Sequence, residues 1–262
     1  MAGVPAGVCR PRGRGDHAGG VVRGFAARSG RDRRPMTLPD AMRLTQTLLA
    51  LALLQQSLEH LRGFRDERAL FLARAALCVL VLLGVASPWP LVAMAALSLL
   101  ILHRFQGPYN GGSDRMGLLS LWCLTLASLA PSPPLKELFF GYLGAQLVLS
   151  YFISGWVKVV NPEWRSGRAL RDVFQFSAYP VAESLRALAD RQRLLTAMSW
   201  AVMGFELAFP LAMLTQPTLI AALVVAGTFH LANACLFGLN RFFWTWLSVY
   251  PAILWLQARL IH

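Results

Sequence analysis

Apolar segments of about bilayer-spanning length make up most of this chain and limit what it can fold into. They are separated by Pro, Gly and charged residues and lie at about 41–60, 69–87, 90–105, 116–130, 135–160, 194–215, 218–239 and 242–260. A bilayer core offers exposed backbone no hydrogen-bond partners, so such segments cross it as helices. The sequence therefore predicts an all-α, polytopic membrane bundle of about eight helices. The first segment is amphipathic enough to lie on the membrane surface instead.

Composition agrees with a membrane protein and argues against a nucleic-acid-binding one. Of the 262 residues, 56% are hydrophobic and only 15% charged, and the mean hydropathy of +0.49 exceeds that of ordinary soluble domains. The net charge of +12 comes from the N-terminal tail and the connections, and no motif that reads DNA or RNA accompanies it. The four Cys lack the spacing of a metal site or a disulfide framework. We expect a lipid bilayer as the surroundings, no nucleic-acid partner and no metal.

The chain divides into a basic tail and one membrane domain. Residues 1–35 are rich in Gly, Arg and Pro and are predicted to be disordered; a translation start at Met36 is the alternative. The transmembrane domain is predicted over 40–260, with the connection 161–193 as an interfacial loop because it mixes charged and aromatic residues. Lys and Arg concentrate in alternate connections, whereas the Arg-rich tail favours the opposite orientation. Membrane sidedness is therefore left open.

Lys158 is the most informative single residue, because it places a charged amine within or at the end of an apolar run. Insertion of such a group into a bilayer is costly, so by default it indicates a functional site. Tyr151 and Ser154 precede Lys158 by seven and four residues and share its helical face. The pattern predicts that these three side chains line one wall of a cavity.

Two further apolar segments contain polar residues. Glu206 is followed four residues later by Pro210, which removes a helical hydrogen bond to the Glu206 carbonyl, so a carboxylate and a free carbonyl are expected together. His230 is followed by Asn233 on the same face. A Lys, a Glu and a His on three neighbouring helices predict a charge-compensated intramembrane site, with Lys158, Glu206 and His230 as its catalytic candidates.

Structural roles for the same residues stay open. Lys158 can extend its amine to the membrane interface, and Glu206 can pair with an Arg of the 161–193 connection. His230 and Asn233 can join helices by hydrogen bonds. Trp164 and the aromatic residues of the last segment are typical of an interfacial belt.

Four sequence pieces resemble the HTTM (horizontally transferred transmembrane) family, which includes the membrane domain of vitamin K-dependent gamma-glutamyl carboxylases. These pieces are YNGGSDRM, YFISGWVKVVNPEWRSGRAL, FELAFP and FHLANACLFGLNRFFWTWLSVYP, and they extend over about 40–260. The most specific are the G-x-x-K followed by W-x-x-G, and the F-H-x-x-N-x-x-L-F run. The resemblance implies a helical membrane scaffold in a bacterial cell membrane.

In the carboxylases, the Lys of the G-x-x-K piece activates a reduced quinone, and Lys158 is the matching residue. The resemblance therefore implies a lipophilic quinone as cofactor, with Lys158 as the base and with Tyr151, Ser154, Asn233 and Trp164 as candidate contacts. The carboxylases also have a catalytic His before the fourth helix, where this chain has Gly112. They continue into a large extramembrane portion, whereas this chain ends at His262. We therefore expect no glutamyl carboxylation.

Two functional hypotheses follow. In the first, the protein binds a quinol or lipid in an intramembrane cavity and Lys158 acts as a base. In the second, it is a non-enzymatic membrane accessory factor for the maturation or export of a secreted peptide or partner protein, and the polar faces are structural. A small-solute transporter has less support, because no inverted pair of broken helices is evident.

Overall fold

Helices account for all regular structure in the part of the chain that the computed structural model describes, residues 36–63, 67–85, 87–104 and 112–261. The all-α prediction is confirmed for these ranges. The tail 1–35, predicted to be disordered, lies outside them.

Eleven α-helices follow one another in the described ranges. They are α1 (Leu38–Gly63), α2 (Arg68–Leu83), α3 (Trp89–Arg104), α4 (Gly112–Leu129), α5 (Pro133–Val160), α6 (Pro162–Arg165), α7 (Arg168–Phe176), α8 (Pro180–Ser184), α9 (Gln192–Ala208), α10 (Gln216–Phe237) and α11 (Asn240–Ile261). Each predicted apolar segment overlaps one of the longer helices, α1 to α5 and α9 to α11.

Within the described ranges, three segments are long and apolar enough to cross a membrane, namely Pro133–Val160, Gln192–Leu214 and Gln216–Phe237. The apolar stretch Trp89–His103 is shorter. A helix of 16 residues, such as α2 or α3, extends about 24 Å at 1.5 Å per residue, less than the hydrocarbon core of about 30 Å. The structure thus contains helices suited to a bilayer, and the count of about eight spans stays a prediction.

Local sequence accounts for the ends of the spanning helices. Prolines follow Ser132 at the start of α5, where a missing N–H costs nothing. Thr215 caps α10, because its hydroxyl accepts a hydrogen bond from the Thr218 N–H at 3.3 Å. Gly238 ends α10 in the left-handed conformation with a φ of 71°.

Helix α11 lies at the centre of the bundle, in contact with α1, α4, α5 and α10. Helix α5 approaches its neighbours closely at two glycines. A Cβ at Gly144 would lie 2.9 Å from the Ala252 carbonyl oxygen on α11, and one at Gly155 would lie 2.8 Å from the Leu207 nitrogen on α9. Small residues at such crossings are typical of membrane helices, which associate by close packing. They bring the polar face of α5 against α9.

The connection between α5 and α9 consists of the short helices α6 to α8 and a 3₁₀ turn at Arg186–Asp190. Phe174 and Ala189 from this connection pack on Leu195 of α9 and form a small apolar cluster. It is therefore folded onto the first turns of α9. Its predicted place at the membrane interface stays a prediction.

Candidate functional site

Lys158 and Glu206 form an ion pair where α5 crosses α9. The Lys158 Nζ lies 2.6 Å from Oε1 and 2.5 Å from Oε2 of Glu206, and it donates a third hydrogen bond to the Ser154 hydroxyl at 2.7 Å. Ser154 in turn donates to Glu206 Oε1 at 3.2 Å. An ammonium has three N–H donors, so the contacts account for all of them. The Lys158 side chain is only 16% exposed and that of Glu206 6%.

Trp164 completes the surroundings of the amine. Its ring centroid lies 5.2 Å from Lys158 Nζ, within the range of a cation–π contact. The Trp164 carbonyl accepts a hydrogen bond from the Ser199 hydroxyl, which attaches α6 to α9. The hydrogen bond to Ser199 therefore keeps the Trp164 ring beside the ion pair, on the short helix that follows α5.

The second polar contact of this region joins α5 to α10. The Tyr151 hydroxyl and His230 Nε2 are hydrogen-bonded at 3.0 Å, and both residues are buried. Tyr151 also stacks on Phe209, with 4.1 Å between ring centroids. Asn233 lies one turn after His230 and is half-buried. Tyr151, Ser154 and Lys158 thus do share one face of α5, and each of them contacts a neighbouring helix.

An open groove of about 540 Å³ runs along the outer side of α5 and ends at Lys158 and Trp164. Its lining residues are Gln146, Leu149, Ser150, Ile153, Ser154, Val157, Lys158 and Trp164. Four of these eight residues are apolar, and Ile153 and Val157 are exposed on the surface of the protein.

The structure places the predicted site residues in three positions. Ser154, Lys158 and Trp164 line the groove; Glu206 is buried next to Lys158. Tyr151, His230 and Asn233 do not line it. Gln146 and Ser150 were missed by the sequence analysis, although with Ser154 they form a polar row at four-residue spacing.

One expectation about Glu206 is wrong. Pro210 does lack the N–H for a helical bond, but the Glu206 carbonyl accepts the Phe209 N–H instead, because the chain tightens there into a 3₁₀ helix, Phe209–Leu214. The carbonyl is therefore not free to join the carboxylate at the site.

The contacts bear on the alternatives raised for Glu206 and His230. The Lys158 amine pairs with Glu206, and its position relative to the membrane interface stays a prediction. Glu206 pairs with Lys158 rather than with an Arg of the 161–193 connection. His230 does join helices by a hydrogen bond.

Gly112, the position at which the resemblance to the carboxylases implied a missing histidine, begins α4 against two aromatic rings. A Cβ there would lie 3.4 Å from Phe242 and 3.7 Å from Trp246. Trp246 is buried and contacts His230, with 5.4 Å between ring centroids. Part of the predicted aromatic belt therefore lies in the core, between Gly112 and the Tyr151–His230 pair.

Comparison with known protein families gives a match over about the C-terminal half of the chain. Residues 134–257 match the family of HTTM domains. No curated protein matches the chain significantly. The search of solved structures likewise gives no significant match. The matched residues include the whole Lys158–Glu206 cluster and the Tyr151–His230 pair.

Proposed function

We propose, from the match of residues 134–257 to the HTTM domain family, that this chain is a multi-pass protein of a bacterial cell membrane that binds a reduced quinone beside Lys158. Three segments suited to spanning support the membrane part of the proposal. The observation that carries the quinone part is the Lys158–Glu206–Ser154 cluster at one end of an apolar groove.

The groove suits a lipophilic ring with a polar edge. Its apolar walls, such as Ile153 and Val157, fit a ring that enters from the bilayer. The Trp164 ring offers a stacking surface, and Ser154 and Lys158 offer polar groups at the end of the groove. Polar groups at one end of an apolar site are what fix the orientation of such a ligand.

Lys158 acts as a base only after it gives up a proton, and Glu206 is placed to receive it. The ammonium and the carboxylate are in direct contact, so a proton has a short path from the amine to the carboxylate. The neutral amine then accepts a proton from a hydroxyl of the ligand. Ser154 contacts both partners and keeps the amine oriented in either state. A reduced quinone would supply that acidic hydroxyl.

The test is quinone binding by a variant that removes both charges together. We expect quinone to co-purify with the wild type, to be detected by mass spectrometry of an organic extract, and to be absent from Lys158→Met/Glu206→Leu. The matched control, Arg259→Met/Glu137→Leu, removes an exposed ion pair away from the groove and is expected to retain quinone. Added 2-methyl-1,4-naphthohydroquinone should quench the tryptophan fluorescence of the wild type and of the control. It should not quench that of Lys158→Met/Glu206→Leu. Equal quinone content in all three proteins would refute the proposal.

The second candidate is the non-enzymatic accessory factor. The observation in its favour is that the chain itself satisfies every donor of Lys158, so the ion pair can serve to join α5 to α9. In this case deletion of the protein should remove a peptide or protein from the secreted fraction. The double variant Lys158→Met/Glu206→Leu should restore it. Failure of the double variant to restore secretion, with normal membrane abundance, would contradict this role.

A further inference from the structure

A second cavity, of about 300 Å³, lies between α1, α2, α3, α4 and the start of α11, and shares no lining residue with the groove beside Lys158. Its polar lining residues are Gln56, His60, Arg74, Ser98, Ser113, Asp114, Arg115, Arg241 and Thr245. Apolar residues such as Ile101, Leu118 and Leu121 form the rest of the wall. The cavity is therefore amphipathic, with cations at its polar side.

Arg74 is the unusual member of this lining. It is 6% exposed, yet within the described chain its Nη2 atom has no hydrogen-bond partner. Its Nε donates to the Ser57 hydroxyl at 2.8 Å, and its guanidinium lies 4.9 Å from the Phe71 ring centroid. In the described residues no carboxylate lies within 4.0 Å of its nitrogens. A buried guanidinium with an N–H donor that lacks an acceptor costs free energy, unless another molecule supplies that acceptor.

The anionic groups near the cavity are already engaged. Asp114 accepts a hydrogen bond from Gln56 Nε2 at 2.8 Å, and Glu59 pairs with Arg241 at 3.4 Å. Among the described residues, three arginines line the cavity, and Asp114 together with the Glu59 carboxylate that pairs with Arg241 leaves an excess of one cation. The charge balance favours an anion as the missing partner of Arg74.

We propose that this cavity binds the oxyanion head group of a short amphiphile, a carboxylate or a phosphate, on the guanidinium of Arg74. A guanidinium presents parallel N–H donors that match the oxygens of either group. The apolar wall at Ile101, Leu118 and Leu121 takes the chain of the amphiphile. The site is independent of quinone binding, because it lies on other helices.

Binding to the protein in phosphatidylcholine nanodiscs tests the proposal with four probes: octanoate, octyl phosphate, octanol and inorganic phosphate. We expect octanoate or octyl phosphate to bind the wild type, and Arg74→Gln to bind it about tenfold or more weakly, as loss of a charge-assisted hydrogen bond implies. Arg259→Gln, the same change at an exposed site, should bind like the wild type. Lys158→Met/Glu206→Leu should also bind normally, which separates this site from the proposed function.

A second variant keeps the test valid if Arg74→Gln does not fold. Gly117 lines the cavity, and a Cβ there would lie 3.8 Å from the nearest atom, on Thr245, so Gly117→Leu adds side-chain volume while Arg74 stays in place. We expect it to weaken binding of the amphiphile as well. Octanol binding as tightly as octanoate would overturn the anionic assignment. If inorganic phosphate binds as tightly as octyl phosphate, the apolar wall does not take the chain of the amphiphile. If Arg74→Gln and Gly117→Leu both bind like the wild type, the amphiphile does not bind in this cavity.

Discussion

Lys158 and Arg74 are both cations enclosed by helices, but the residues that the structure describes complete the hydrogen bonding of Lys158 alone. Lys158 meets two carboxylate oxygens and a hydroxyl. Arg74 meets one hydroxyl and a ring and lines a cavity, and among the described residues its buried Nη2 has no hydrogen-bond partner. The comparison shows two ways of burying a charged side chain. Its donors can all be hydrogen-bonded by residues of its own and a neighbouring helix, which joins the two helices, or a donor can be left without a partner, which leaves a place for a ligand.

The largest expected effect is the loss of one member of the Lys158–Glu206 pair. Lys158→Met leaves the Glu206 carboxylate buried without its partner, and we expect the free energy of unfolding to fall by about 3–5 kcal/mol. Adding Glu206→Leu should recover most of that loss, because an apolar pair needs no charge compensation. Reversible unfolding in mixed micelles measures both. Additive losses in the double variant would show that the two residues do not act as a pair.

Tight packing at the same crossing predicts a smaller effect. Gly155→Ala places a Cβ 2.8 Å from the Leu207 nitrogen and 3.0 Å from Glu206 Cβ, so α5 and α9 must separate. We expect a cost of about 1–3 kcal/mol in the same unfolding assay. Gly204→Ala is the matched control, since a Cβ there meets nothing within 4 Å. If both variants unfold alike, the close approach of α5 to α9 does not contribute to stability.

The Tyr151–His230 hydrogen bond should contribute less again. Tyr151→Phe removes one hydroxyl and keeps the ring that stacks on Phe209, so we expect a loss of about 1 kcal/mol. His230→Phe in the Tyr151→Phe background should cost little more, since the hydrogen bond is already gone. If Tyr151→Phe lowers the free energy of unfolding as much as Lys158→Met does, this hydrogen bond stabilises the protein as strongly as the ion pair, contrary to the prediction.

The smallest effect is expected at Arg74 in delipidated protein. Arg74→Met breaks no ion pair, and Ser57 still donates its hydroxyl to the Leu53 carbonyl at 2.7 Å. We therefore expect a change of less than about 1 kcal/mol in the free energy of unfolding. A cost equal to that of Lys158→Met would remove the contrast between the two cations.

Much of the site follows from helical periodicity. Tyr151, Ser154 and Lys158 were expected on one face of α5, and they lie there. The free Glu206 carbonyl was not foreseen correctly, because a chain that meets a proline can tighten into a 3₁₀ turn and regain the bond. Arg74 was overlooked, although it interrupts an apolar segment as Lys158 does.

The sequence by itself determined the helical, membrane-type architecture and the polar face of α5. These depend on the length and spacing of apolar residues within one segment, which are local properties. Only the tertiary structure decided that Glu206, 48 residues from Lys158 in the chain, is the partner of that amine. It also decided that Arg74 lines a cavity while its Nη2 has no hydrogen-bond partner among the described residues. Such pairings depend on which helices cross at which residue, and the crossings are set by packing at positions such as Gly155 against α9.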